Sequence, residues 1–450
     1  MDKNYLLTTP LARRLYEEVA RDLPIIDYHN HLNVADILSD RKFENITKLW
    51  ISVDPYKHRA MRILGVPERF ITGEATDYEK FEKWYHCIPR LVGNVLYDWS
   101  VMEFELIFGI SLPPFQREAR EVWDEVNEKL KSLSARDILG NFNLEYSAPC
   151  TSINDDLSIF DGLSGTCPSL RGDNILTPDE NLVKQLAQLT GISIQDLHSF
   201  ERALDIRLTA FKEAGCKFSD HALDDGFRYL EDDGKNDVRF TAVLHGEKLC
   251  EEDQQKLFSR ILKLLGVLYA KHGLTMQLHI GAKRTTSSRL RQIAGPAGGY
   301  AAIGNCVDVK SLTDLLDAME QQPYGLPKTI LFTLNPADNA VMSVLSGSYS
   351  KDGAETIVSQ GPAWWWCDHY QGMYEMLNHL CVYGVMSTFI GMTTDSRSLL
   401  SFVRHDYFRR ILCQWIGNKA QQGILPDDFT ILADTVRRIC YQNAKNCIEQ

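Results

Sequence analysis

No two of the eleven cysteines are spaced as C-x-x-C, and their number is odd, which argues against a zinc ribbon or a disulfide framework and for reduced thiols in a core. No run of Lys and Arg offsets the formal charge of −12, from 48 basic and 60 acidic side chains, so neither nucleic acid nor an acidic membrane is an expected partner. No window approaches 18 uncharged apolar residues, so no membrane-spanning helix is expected. The opening MDKNYLLTTPLARRLYEEVA has helical apolar spacing broken by charge, unlike a signal peptide, and a cytoplasmic location is expected. Neither G-x-G-x-x-G after an early strand nor G-x-x-x-x-G-K-[ST] is present, which removes both phosphate-cradle signatures of an open doubly wound sheet. What remains is a chain of 450 residues, 44% apolar and 24% charged, long enough for one large barrel or several domains and too apolar to be disordered.

The segment Leu23 to His31 (LPIIDYHNH) is apolar and then polar, as expected of a buried parallel strand ending at a functional rim. Seven more short apolar runs follow: Leu144 to Cys150, Cys167 to Arg171, Cys216 to His221, Leu274 to Gly281, Thr329 to Asn335, Pro362 to Trp366 and Ser387 to Asp395. Helical patterns such as Asp253 to His272 and Val307 to Met319 separate most of them, and eight alternating units predict a (β/α)8 barrel. The expected organisation is an N-terminal helix and first strand over 1–42, a helical insertion over 43–135, and the rest of the barrel with C-terminal helices over 136–450. Aromatics in the insertion, including Trp84 and Trp123, would permit a homo-oligomer. The stretch Ser152 to Pro178, rich in Asp, Ser, Gly and Pro, is expected to form loops at the active site.

His29 and His31, two residues apart at the end of the first strand, present both imidazoles to one side, where they can chelate one divalent ion. An isolated H-x-H is a weak signal, but polar residues recur where other strands end: Arg171, His221, His279 and Asp395. In a barrel those ends converge on one site. Asp395 would supply an oxygen ligand and could also carry protons. His279 is open between a core histidine, a further ligand and a substrate contact. Arg171 and Arg397, planar forks near strand ends, suggest an acidic small molecule. Of the run Trp364 to Trp366, one residue, Trp365, is assigned to the wall of the site and the others to packing.

At these residues the chain resembles uronate isomerase, a family of the amidohydrolase superfamily of metal-dependent (β/α)8 barrels. The similarity is carried by QLHIGAKR, LPKTILFTLNPADN, AWWW, GMTTDSRSLLSFVRHDYFRRILC and YQNAK, with H-x-H on the first strand and D-S-R on the last. DPYKHRAMR (54 to 62) is similar to the family's Asp-His-Tyr-Lys-Trp-Arg-Ala-Met-Arg, with Pro55 and His58 in place of a histidine and a tryptophan. The resemblance implies interconversion of D-glucuronate with D-fructuronate, or of D-galacturonate with D-tagaturonate, by moving hydrogen from C2 to C1. It implies one divalent metal on His29, His31 and Asp395, zinc before manganese, nickel or cobalt, meeting the carboxylate end of a hexuronate. It makes Asp395, Tyr56 and Arg397 catalytic, Tyr56 matching the family's tyrosine, and gives Arg171, Arg397, His279 and Trp365 to the substrate.

The chain departs from the family pattern in three further places. Pro149-Cys150-Thr151-Ser152-Ile153 stands for Thr-Thr-Asp-Asp-Pro, YDWSVMEFE (97 to 105) lacks a histidine, and Gly299-Tyr300-Ala301 replaces Gly-Phe-Asp. Pro55 removes an imidazole beside Tyr56 that could exchange a proton with the phenol. Two rivals therefore stand beside the isomerase: a metal-dependent hydrolase of an acidic sugar derivative, since such a barrel can activate water instead, and a uronate-binding relative without catalysis.

Overall fold

The structure is a computed structural model and describes residues 3–449. Seven parallel strands form one curled sheet in chain order: β1 (Ile25–Asn30), β2 (Leu144–Ser152), β3 (Ser169–Arg171), β4 (Phe218–Leu223), β5 (Thr275–Ile280), β6 (Thr329–Thr333) and β7 (Val358–Gln360). Every residue of β1, β5 and β6 is buried, as strands covered on both faces require. Tyr28 of β1 meets Phe218 of β4 with ring centroids 5.5 Å apart. Strands three places apart touch only through the inside of a closed curl, so this contact marks the barrel interior.

The eighth position is filled without a regular strand. Beyond a 3-10 turn at Met386–Thr388 the chain runs along β1, where Asp395 N–H donates to His29 O (3.1 Å) and His31 N–H donates to Ser396 O (2.8 Å). Just before these bonds the Thr393 hydroxyl takes the place of a ladder partner, accepting from His29 N–H (2.9 Å) and donating to His29 O (2.7 Å). The expected strand at Ser387 to Asp395 is thus an irregular extended segment, and the barrel is a (β/α)8 barrel with seven ladder strands. The expected strand at Pro362 to Trp366 is corrected as well: the ladder ends at Gln360, followed by Gly361 N–H to Leu331 O (2.8 Å). Pro362 has no N–H to extend it, and Trp365–Cys367 forms a 3-10 turn.

The helices follow ordinary end signals. Glu251–His272 opens with Glu251, Glu252 and Asp253, closes with Lys271 and His272, and stops at Gly273 in the left-handed region (φ 71°). Between β1 and β2 all longer elements are helices, among them Pro55–Ile63, Asp77–Cys87 and Val95–Phe108. Their aromatics Trp50, Trp84 and Phe104 share one buried cluster with Phe408, Leu412 and Trp415 of the helix Val403–Gln421 that follows the closing segment. Helix Pro55–Ile63 is thereby fixed over the barrel mouth: Asp54 caps its Tyr56 and Lys57 N–H groups (2.9 and 3.3 Å), and Pro55 occupies the first helical position. Among the described residues no helix is long and apolar enough to cross a membrane.

Candidate active site

Segment 393–396 is held against β1 by one buried carboxylate. Asp27 accepts from Thr394 N–H, the Thr394 hydroxyl, Asn30 and His405. Burial opposes its ionisation, but the bonds from His405 and Thr394 still hold its carboxyl below the usual range. The next residue, Asp395, stands at φ 48°, a left-handed backbone that costs about 1–3 kcal/mol and turns its carboxylate into the mouth.

There Asp395 Oδ1 lies 3.2 Å from His29 Nε2 and 3.0 Å from His31 Nε2. Its Oδ2 accepts from the indoles of Trp364 (2.9 Å) and Trp365 (2.8 Å). Against the effect of burial, His29 and His31 keep this carboxyl well below its ordinary value. Ligands at ~2.0–2.1 Å from a tetrahedral ion stand roughly 3.3 Å apart, so Asp395 Oδ1 stands from each imidazole at the spacing of two ligands of one metal. Among the described residues, the sets whose ligand atoms all fall within 4.8 Å of one another are His29, His31 and Cys150, and His29, Asp220 and His279. These residues can hold a divalent metal ion.

A cavity of about 350 Å³ opens over this carboxylate, lined among others by Tyr56, Arg171, His279, Arg284, Trp365 and Arg397. The Tyr56 ring stands edge-on to Trp366 (5.2 Å) and Trp99 (6.2 Å), under the Arg404 guanidinium (5.3 Å). Its hydroxyl is buried with no hydrogen-bond partner, and burial, with Asp395 adding, pushes the phenol well above its usual pKa. His279 Nε2 is likewise unpartnered, and burial beside His29 keeps that ring neutral. Pro55 stands where an imidazole was expected, with its carbonyl against Gly299, where a Cβ would come within 2.2 Å.

The arginines differ in what already holds them. Arg171 is clamped by Asp220 (2.9 Å) and Asp173 (2.6 Å), and Arg284 by both oxygens of Asp224 (2.8 and 3.0 Å). Arg397 is exposed at the rim with no ion pair among the described residues. The residues given metal, catalytic or substrate roles from sequence, His29, His31, Tyr56, Arg171, His279, Trp365, Asp395 and Arg397, all line this one cavity, but one strand-end residue grouped with them does not. That residue is His221: its Nε2 pairs with the Tyr269 hydroxyl at 2.8 Å, and the ring packs on Gly172, where a Cβ would overlap it at 2.0 Å. Of the loop Ser152 to Pro178 only Arg171 lines the cavity, a correction to its expected role, because its Asp155 and Ser152 bond within the loop instead. Arg284, Cys150 and Asp220 were missed by sequence reasoning, although Arg284 lies four residues beyond β5, where barrel sites collect.

Residues 1–448 match the family described as glucuronate isomerase. The chain belongs to that family. Relatives of this glucuronate isomerase family member include the uronate isomerase of Bacillus licheniformis, 39% identical over 99% of this chain and 97% of the relative. That of Caldicellulosiruptor bescii is 39% identical over 99% and 98%. The crystal structure of uronate isomerase from Thermotoga maritima superposes with a TM-score of 0.91 at 27% identity, covering 100% of this chain and 99% of that one. The family places the chain among isomerases, ahead of the hydrolase reading.

Proposed function

We propose that the protein interconverts D-glucuronate and D-fructuronate, or D-galacturonate and D-tagaturonate, or both pairs, by moving hydrogen from C2 to C1 of the open-chain sugar through an enediol. The observation that carries this reading is the pairing of Asp395, a carboxylate held by two imidazoles and two indoles, with the unpartnered Tyr56 hydroxyl in one cavity. An aldose-ketose shift needs a base at carbon and an acid at oxygen, and these two side chains have the required resting protonation states.

His29, His31 and Asp395 would hold one divalent ion, zinc before manganese, nickel or cobalt, since imidazole and carboxylate suit borderline ions. When bound, it supplies positive charge for the carboxylate end of the substrate and for the enediolate. Asp395 takes the C2 proton while Tyr56 gives its proton to O1. The enediol collapses to the ketose when Asp395 returns its proton to C1 and the Tyr56 phenolate takes the proton from O2, so both side chains end as they began. Arg397, unpaired, stabilises the developing oxyanion, and Arg171 adds positive charge from its carboxylate clamp. His279 contributes a neutral ring, and Trp365 closes the wall against water. Residues 43–135 serve as the insertion that carries Tyr56 to the mouth. We place the enzyme in the cytoplasm, with a small-molecule hexuronate as its partner and neither nucleic acid nor membrane.

The test is turnover by the wild-type protein and its Asp395→Asn variant. The proposal expects ketose formation from at least one uronate and a loss of about 10²–10⁴-fold or more in the variant. Hydrolysis of uronate lactones or amides without isomerisation would contradict it.

A further inference from the structure

We infer that Cys150 is a positioning residue whose thiol, set between His29 and Asp220, fixes the tautomer of His29 in which the Nε2 lone pair faces Asp395. This rests on the reading that His29, His31 and Asp395 hold the metal. His29 Nδ1 and Asp220 Oδ1 are 3.9 Å apart, too far for a direct hydrogen bond. Cys150 Sγ fills the gap, 3.7 Å from Nδ1 and donating to Oδ1 at 3.5 Å. The chain thus runs from the Nδ1–H of His29 to sulfur, and from the S–H to the carboxylate.

Its far end is firm. Arg171 Nη1 stands 2.9 Å from Asp220 Oδ2, and both His29 and Asp220 are buried. A ligating imidazole is oriented by the group to which its other nitrogen donates, commonly a carboxylate or carbonyl, and here a thiol is interposed before the carboxylate. The alternative, a thiolate in direct contact with the ion, meets a geometric objection. Sulfur lies on the Nδ1 side of the His29 ring and Asp395 on the Nε2 side, so an ion on Asp395 and His29 Nε2 leaves sulfur out, whereas an ion on His29, His31 and Cys150, whose ligand atoms lie within 4.8 Å of one another, would leave Asp395 out.

The experiment measures cobalt(II) affinity by competition with a chromophoric chelator, and the absorption spectrum of the cobalt-loaded protein, for wild type, Cys150→Ala, Cys150→Ser and His31→Ala. Cys150→Ala is expected to weaken binding about 10- to 100-fold. Cys150→Ser, whose hydroxyl both accepts and donates, is expected to retain most of the affinity, and wild type to show no sulfur-to-cobalt charge-transfer band. Such a band in wild type, absent from Cys150→Ser, would overturn the proposal by making sulfur a ligand. Wild-type affinity in Cys150→Ala together with a loss in His31→Ala would overturn the role of Cys150 alone. Unchanged affinity in His31→Ala would overturn the metal reading and this role with it.

Discussion

Asp27 accepts both the backbone N–H of Thr394, at 2.6 Å, and the hydroxyl of the same residue, at 2.8 Å. One buried carboxylate on β1 thereby anchors the segment that closes the barrel and presents Asp395. Its folded pKa lies below the ordinary 3.8, so on acidification the unfolded chain takes up the proton first. The stabilisation is present in full above 3.8 and is lost as pH falls through the depressed folded value. Asp27→Asn should therefore be less stable at pH 7 by about 3 kcal/mol. In urea melts taken from pH 7 towards about pH 3 the gap to wild type should narrow. A gap independent of pH would contradict this account.

Tyr56→Phe removes one oxygen that has no partner in the fold. The melting temperature should be unchanged or slightly raised, because a buried unpaired hydroxyl costs free energy. Turnover should fall by about 10²–10⁴-fold with little change in KM, the mark of a group used in proton transfer. Steady-state kinetics beside a thermal melt separate the two effects. Retention of activity would remove Tyr56 from the reaction.

Arg397 and Arg171 should differ in what their loss does to stability. Arg397→Met, at an exposed and unpaired position, should lower kcat/KM about 100-fold and leave the melting temperature unchanged. Arg171→Met strips Asp220 of its counter-ion and should cost about 3–5 kcal/mol of stability as well as activity. Equal stability losses in the two variants would show that Arg397 has a structural partner.

Much of this was legible in sequence because a barrel converts strand ends into neighbours. LPIIDYHNH identified β1, and the ends of β1, β3 and β5 with the closing segment brought His29, His31, Arg171, His279 and Asp395 to one cavity. Tyr56 was not legible from spacing, since its place depends on how the helices between β1 and β2 pack, and only the family resemblance pointed to it. The final strand misled because the Thr393 side chain supplies what a ladder would. His221 misled because position along a strand does not say which way a ring turns, and Gly172 leaves room for it away from the cavity. Cys150 was read with the core thiols, although it lies across the barrel mouth against His29, a contact between strands that no spacing within one strand reveals.

The most direct test of the central claim is proton NMR in D2O of D-glucuronate and D-galacturonate with metal-assayed protein, run beside a chelated sample that is afterwards reloaded with zinc. The account predicts ketose formation that stops on chelation, returns with the metal, and brings solvent deuterium to C1 wherever the proton carried by Asp395 exchanges. Undiminished ketose formation by metal-free protein, or no conversion of either sugar by protein holding one ion per chain, would contradict it.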